Sequence, residues 1–245
     1  LLDPANAPLP LISVEQKIEQ LHAAGAARVA VIPFSEEFSE LTPDEFARTV
    51  LVDGLGANTV LVGKDFRYGK DGLGTLESLK EEGQAQGFVV HTVDDVVHTG
   101  GERISSTRIR ALLDDGNVED AHQMLGRPHS VRSTVVKGHQ RGRLLGYPTA
   151  NLENPVEGFI PADGVYATRV EVDGTRYSAA TSIGVNPTFG DVDARMVEAH
   201  VFDLNQDLYG RTLEVEFIHY IRPMNEFPSA DALAEQMGQD AQQIR

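Results

Sequence analysis

Short apolar runs alternate with amphipathic stretches through the first 95 residues. RVAVIP at Arg28–Pro33, TVLV at Thr59–Val62 and FVVHTV at Phe88–Val93 have the length and β-branched content of buried strands. Between them, apolar residues recur at helical spacing. Ile18 and Leu21 share a face behind Ser13, which has Gln16 three positions on and can open a capping box. Thr42-Pro43-Asp44-Glu45 is a second helix start, with Pro at the first helical position and Phe46 and Val50 as the apolar face. Thr75–Gln86 reads as a helix closed by Gly87. Strand, helix, strand in this order predicts a parallel α/β module. Two short helices follow, Ser106–Asp114 capped by Ser106 and Asn117–Leu125.

From Ser130 the period changes. Val131–Lys137, Val165–Val172, Arg176–Ile183, Val197–Asp203 and Leu213–Ile221 read as strands, and Asp173-Gly174 is a tight hairpin signal. Several short strands in so few residues predict a small antiparallel barrel, and a last helix runs from Ser229 to Ile244. The break at LGRPH (Leu125–His129) sets the modules at residues 1–126 and 127–245. The opening, LLDPANAPLPL, leads into a helix with no strand before it. Nucleotide-binding α/β folds usually put a phosphate-binding turn after a first strand.

Composition narrows the function. The chain has 245 residues and no cysteine, which removes disulfide scaffolds, thiolate metal sites and cysteine nucleophiles. Apolar runs such as Val29–Phe34 are too short to span a bilayer, and no basic-then-apolar leader is visible. A cytoplasmic protein without membrane contact is expected. The net charge of −16 opposes a general nucleic-acid binder. Eight of the 21 bases fall between Arg103 and Arg143, against four acids, so this stretch is locally positive. It suits small anions such as nucleotides, or it is a chance cluster on a solvated face.

Glycines at 138, 142 and 146 surround Lys137, Arg141 and Arg143 and lead into Tyr147-Pro148-Thr149-Ala150-Asn151. Such a backbone can approach phosphates closely. Thr149 and Asn151 leave the same face of an extended chain and offer neutral oxygens to a hard cation. They can equally be the residues of a proline turn.

GRLLGYPTANL resembles the PTAN motif of riboflavin kinases. PADGVYA (Pro161–Ala167), SIGVNPTFG (Ser182–Gly190), VEAHVFD (Val197–Asp203) and DLYG (Asp207–Gly210) follow in that family's order. VGKDFRYG (Val62–Gly69) and RISSTRIR (Arg103–Arg110) resemble the adenylyltransferase module of the same enzymes. The chain is therefore similar to the prokaryotic bifunctional riboflavin kinase/FAD synthetases. The resemblance implies a Rossmann-like nucleotidyltransferase module, then a six-stranded kinase barrel with a C-terminal helix. It implies ATP-dependent conversion of riboflavin to FMN and of FMN to FAD, with Mg²⁺, and ATP, riboflavin and FMN as the small-molecule partners. A homo-oligomer stays open. The family's Gly-x-Phe-Asp-Gly-x-His-x-Gly-His turn and its Phe-Asp/Glu-Pro-His-Pro motif are not in this sequence. Both ends thus read as cut, and a chain starting at Leu1 is expected to make FMN but not FAD. Other readings are an adenylyltransferase with a different acceptor and a non-catalytic flavin-binding protein.

The resemblance also assigns residues. Glu198 matches the kinase base; alternation in VEAHVFD puts Glu198, His200 and Phe202 on one strand face. Thr149 and Asn151 match the metal site. Lys137, Gly138, Arg141, Gly142, Gly146 and Pro148 match the loop over the ATP phosphates. Arg103, Ser106, Thr107 and Asp65 match the adenylyl site, where Ser106 can also be a plain cap and Asp65 part of a strand-end turn. Asn186, Thr188, Phe189 and Arg222 match the flavin pocket. Phe189 can instead be core, and Arg222 a surface salt bridge.

Overall fold

In a computed structural model, residues 7–98, 100–138, 142, 146–185 and 195–245 are described. They form two compact units, one of residues 7–8 with Ala26–Ile104 and one of Leu9–Gly25 with the described residues of Ser105–Arg245.

The second unit is built on a closed antiparallel barrel. Its strands are β3 (His129–Val136), β4 (Ala150–Leu152), β5 (Gly164–Val172), β6 (Thr175–Val185), β7 (Arg195–Val201) and β8 (Thr212–Arg222), in the order β3-β4-β7-β6-β5-β8. Alternate residues point inward, so Val131, Val135, Leu152, Tyr166, Val170, Ile183, Val197, Leu213 and Phe217 fill the interior. Asp173 and Gly174 take φ values of 51° and 75°, as the two-residue hairpin between β5 and β6 requires. The unit also takes in helices outside residues 127–245. They are α1 (Val14–Ala23), α5 (Ser106–Asp114) and α6 (Val118–Leu125). Gln16 of α1 is buried against the Ser130 hydroxyl, and Arg132 joins Glu19 of α1 to Glu214 of β8. The final helix α7 (Ala230–Ile244) is capped by Ser229.

The first unit holds a parallel pair, β1 (Thr59–Gly63) and β2 (Val89–Val93). Three further helices are α2 (Glu36–Ser39), α3 (Pro43–Phe46), which runs on as a π-helical stretch to Gly54, and α4 (Leu76–Gln86). Gly87 ends α4 in the left-handed conformation, as the sequence predicts, and Thr75 is its cap, one residue before the first turn. One face of the pair packs on Ala47, Tyr68, Leu79 and Phe88. Leu61, Val89 and Val93 on the other face are exposed.

Two expectations are corrected. Arg28–Pro33 is not a strand: it pairs with no other described segment, and Val31 and Ile32 are exposed. A β-branched run becomes a strand only where a neighbour completes its ladder. The cap of α5 is Ser105, whose hydroxyl accepts from the Arg108 N–H at 3.2 Å, so Ser106 lies in the first turn.

Candidate functional site

Adjacent strands β4 and β7 bring together three of the residues singled out from the sequence. They share two rungs, Ala150 opposite Ala199 and Asn151 opposite Glu198. The Thr149 hydroxyl, one residue before β4, donates to Glu198 Oε2 at 3.3 Å. Asn151 is buried, and its amide N–H donates to the Thr149 carbonyl at 3.4 Å. Thr149, Asn151 and Glu198, which the sequence brought forward separately, thus form one cluster.

The glycines make that cluster fit. A Cβ on Gly138 would sit 2.4 Å from Asn151 Oδ1, so the chain just beyond β3 can pass the amide only as glycine. At Gly142 a Cβ would lie 2.3 Å from the Tyr147 carbonyl, and the Tyr147 N–H donates to the Gly142 carbonyl at 2.8 Å. Gly146 has a φ of 84°. The Pro148 carbonyl accepts from His200 Nδ1 at 2.7 Å.

A cavity of about 360 Å³ opens beside the cluster, lined by Val135, Pro148, Thr149, Val201 and the segment from Leu204 to Tyr209. Lys137 Nζ lies 5.8 Å from the centre of the Tyr209 ring. Sequence reasoning assigned no role to Tyr209 or the residues before it. DLYG was visible as a family segment, but nothing in its periodicity marks a cavity wall.

Thr149 offers a hydroxyl and Asn151 an amide, neutral and hard, with the Glu198 carboxylate alongside. This set suits a cation such as Mg²⁺ that keeps most of its shell as water and phosphate oxygen. Among the described residues no group of three or more His, Asp and Glu side chains could hold a metal.

Arg222 is engaged elsewhere. Its guanidinium makes a two-pronged pair with the buried Asp240 carboxylate of α7, at 2.8–3.2 Å, and Gln236 donates to the same carboxylate. It is a largely buried ion pair that clamps the last helix. Arg141, Asn186, Thr188 and Phe189 lie outside the described residues.

In the first unit, Arg103 and Asp65 meet. Arg103 NH2 donates to Asp65 Oδ2 at 2.8 Å and lies 3.2 Å from Asp95 Oδ1. The Arg103 guanidinium holds the Asp65 carboxyl below its usual pKa. Tyr68, by contrast, is core, with its hydroxyl on Ser78. Ser106 and Thr107 open α5 in the second unit.

Comparison with known proteins gives two family matches, one described as FAD synthetase over residues 1–108 and one described as riboflavin kinase over residues 125–245. Curated relatives carry the name bifunctional riboflavin kinase/FMN adenylyltransferase. The Listeria monocytogenes protein is 35% identical across 96% of this chain and 74% of its own length. The Bacillus subtilis protein is 34% identical across 94% and 72%. The Escherichia coli K12 protein is 34% identical across 96% and 74%. A solved structure described as a macrolide-efflux protein from Streptococcus pneumoniae superposes with a TM-score of 0.85. It is 35% identical and covers 97% of this chain and 78% of that one. Among the described residues of this chain no helix is long and apolar enough to cross a membrane.

Proposed function

Since the chain belongs to the bifunctional riboflavin kinase/FMN adenylyltransferase family, we propose that its phosphorylation of riboflavin takes place at the open end of the barrel. The observation that carries this reading is Thr149, which lines the 360 Å³ cavity and also touches Glu198. ATP enters the cavity with its phosphates toward Thr149. The backbone at Gly138, Gly142 and Gly146, with Lys137, encloses the phosphates. Thr149 and Asn151 would hold Mg²⁺, which would supply charge neutralisation on the phosphate oxygens. Glu198 accepts the proton of the riboflavin 5′-hydroxyl as that oxygen attacks the γ-phosphorus; ADP leaves and FMN forms. The protein has little covalent work to do, so placing the hydroxyl in line supplies most of the rate.

The second activity, adenylylation of FMN with release of pyrophosphate, draws on Asp65 and Arg103 in the first unit. The Arg103 guanidinium is suited to phosphate oxygens. A cytoplasmic location agrees with ATP and flavin as substrates.

The test is Glu198→Gln. The amide keeps the size of the side chain and removes the proton acceptor. FMN formation falls about 10²–10⁴-fold while riboflavin binding, followed by flavin fluorescence, is retained. Turnover close to that of the parent would show that Glu198 is not the base.

A further inference from the structure

We propose that His200 is a positioning residue for the kinase reaction, holding the Pro148–Thr149 turn in place against Glu198. The inference rests on the roles given above to Thr149 and Glu198. The ladder between β4 and β7 stops after two rungs. In the same register Thr149 would face His200 and Pro148 would face Val201. Pro148 has no N–H to donate, so the ladder cannot run on to it. The backbone leaves the sheet there, and the Pro148 carbonyl takes a side-chain partner instead, His200 Nδ1 at 2.7 Å. A carbonyl only accepts, so the neutral ring carries its proton on Nδ1.

The imidazole is held in that orientation. The Tyr147 ring meets it edge-on at 5.3 Å and 73°, and the Phe202 ring at 5.3 Å and 77°. Phe202 is buried, and Arg245, which caps the C-terminus of the last helix, lies over its ring at 5.2 Å. The Tyr147 hydroxyl lies 3.1 Å from where a Cβ on Gly238 would be, so α7 leaves a slot for it. One strand therefore grips two successive residues of the turn with alternate side chains. His200 holds the Pro148 carbonyl, and Glu198 holds the Thr149 hydroxyl. Without the first grip, rotation on either side of Pro148 moves the Thr149 hydroxyl away from both the cavity and the carboxylate.

The experiment is steady-state FMN formation by the intact protein, with Mg·ATP and riboflavin varied separately and a thermal midpoint taken for every variant. His200→Leu removes the donor. His200→Asn puts an amide N–H near the position of Nδ1, and His200→Gln puts it nearer Nε2. We expect His200→Leu to lower kcat about 10–100-fold, the scale of a misplacement of about 1 Å. It raises KM for Mg·ATP more than KM for riboflavin. His200→Asn recovers most of the lost kcat, and His200→Gln does not. Parent-like kcat in His200→Leu overturns the proposal, and so does equal loss in the Asn and Gln variants. Should the Leu variant fail to fold, the Asn and Gln pair decides. Thr149→Ala, run alongside, separates the two levels. If it is impaired while His200→Leu is not, only this inference falls. If Thr149→Ala matches the parent, the assignment of Thr149 falls and takes the inference with it.

Discussion

The barrel and the parallel pair of the first unit differ in how completely they use their strands. In the barrel each strand has a neighbour on both sides, so no edge is left unpaired, and the interior is filled by residues such as Tyr166, Phe217 and Ile183. In the first unit, β1 and β2 pair with each other alone among the described residues, and Leu61, Val89 and Val93 face solvent. Parallel sheets usually have both faces covered, and two strands by themselves are marginal. Thr149, Asn151 and Glu198 are placed by the closed scaffold. Asp65 and Arg103 sit beyond strand ends and hold each other by exposed ion pairs.

The largest effect expected from this difference is in the barrel core. Phe217 is fully buried, edge-on to Tyr166 at 5.1 Å. Phe217→Ala is expected to cost about 3–5 kcal/mol in urea unfolding of the barrel. In the parent, amide exchange should be slowest in β5, β6 and β8 and much faster in β1 and β2. Equal protection of Val60–Val62 and Val165–Val170 would break the comparison.

Next comes a buried histidine under the barrel. His129 is fully buried, stacked on Phe217, and its Nε2–H donates to the Phe159 carbonyl at 2.6 Å. Its Nδ1 has no partner among the described residues. Burial pushes its pKa down to about 4. The folded state therefore resists a proton that the unfolded chain accepts below about 6.5. Stability is lost as pH falls from about 6.5 to about 4, by on the order of 3 kcal/mol, and levels off below. His129→Gln should remove most of that slope. A slope unchanged by the substitution would assign the acid sensitivity to other groups.

Much of the barrel was legible because alternation and the Asp173-Gly174 turn are local signals that its closed sheet obeys. Arg28–Pro33 misled for the opposite reason: composition favours a strand, but pairing is not written in a single run. The short strand β4 was visible only through its motif, since three residues carry no period. Ser105 and Ser106 are adjacent hydroxyls, and only the backbone angle of the first shows which is the cap. Thr149, Asn151 and Glu198 were named from the sequence, but their meeting required the register of β4 against β7. Arg222 is a basic residue at the end of a strand, and nothing local tells that Asp240, 18 positions on, neutralises it. The cavity wall at Tyr209 and the grip of His200 are likewise products of long-range placement.

Gly138→Ala sharpens the comparison within the barrel. The added methyl group would meet the Asn151 amide at 2.4–2.6 Å, so the amide must move. Overpacking of this kind costs about 1–3 kcal/mol, less than the loss of Phe217. The kinase should suffer more than the fold: kcat/KM for Mg·ATP is expected to drop about 10–100-fold while the barrel still unfolds cooperatively. Full activity in Gly138→Ala would show that the position of Asn151 is not critical.

The smallest stability effect belongs to the first unit. Arg103 and its partners Asp65 and Asp95 are exposed, and exposed ion pairs add little to stability because water and salt screen them. Arg103→Ala should leave the thermal midpoint and FMN formation of the intact protein where they are. FAD formation should fall roughly tenfold, the scale of one charge-assisted hydrogen bond to a phosphate. Arg103→Lys tests whether shape matters as well as charge. A lysine keeps the cation but cannot bridge two carboxylates with a planar fork, so it should recover only part of the rate. If Arg103→Ala lowers FMN and FAD formation equally, the arginine does not belong to the adenylyl site. If it lowers the thermal midpoint strongly instead, the open ion pairs of the first unit hold its fold more firmly than their exposure allows, and the contrast with the barrel fails at that point.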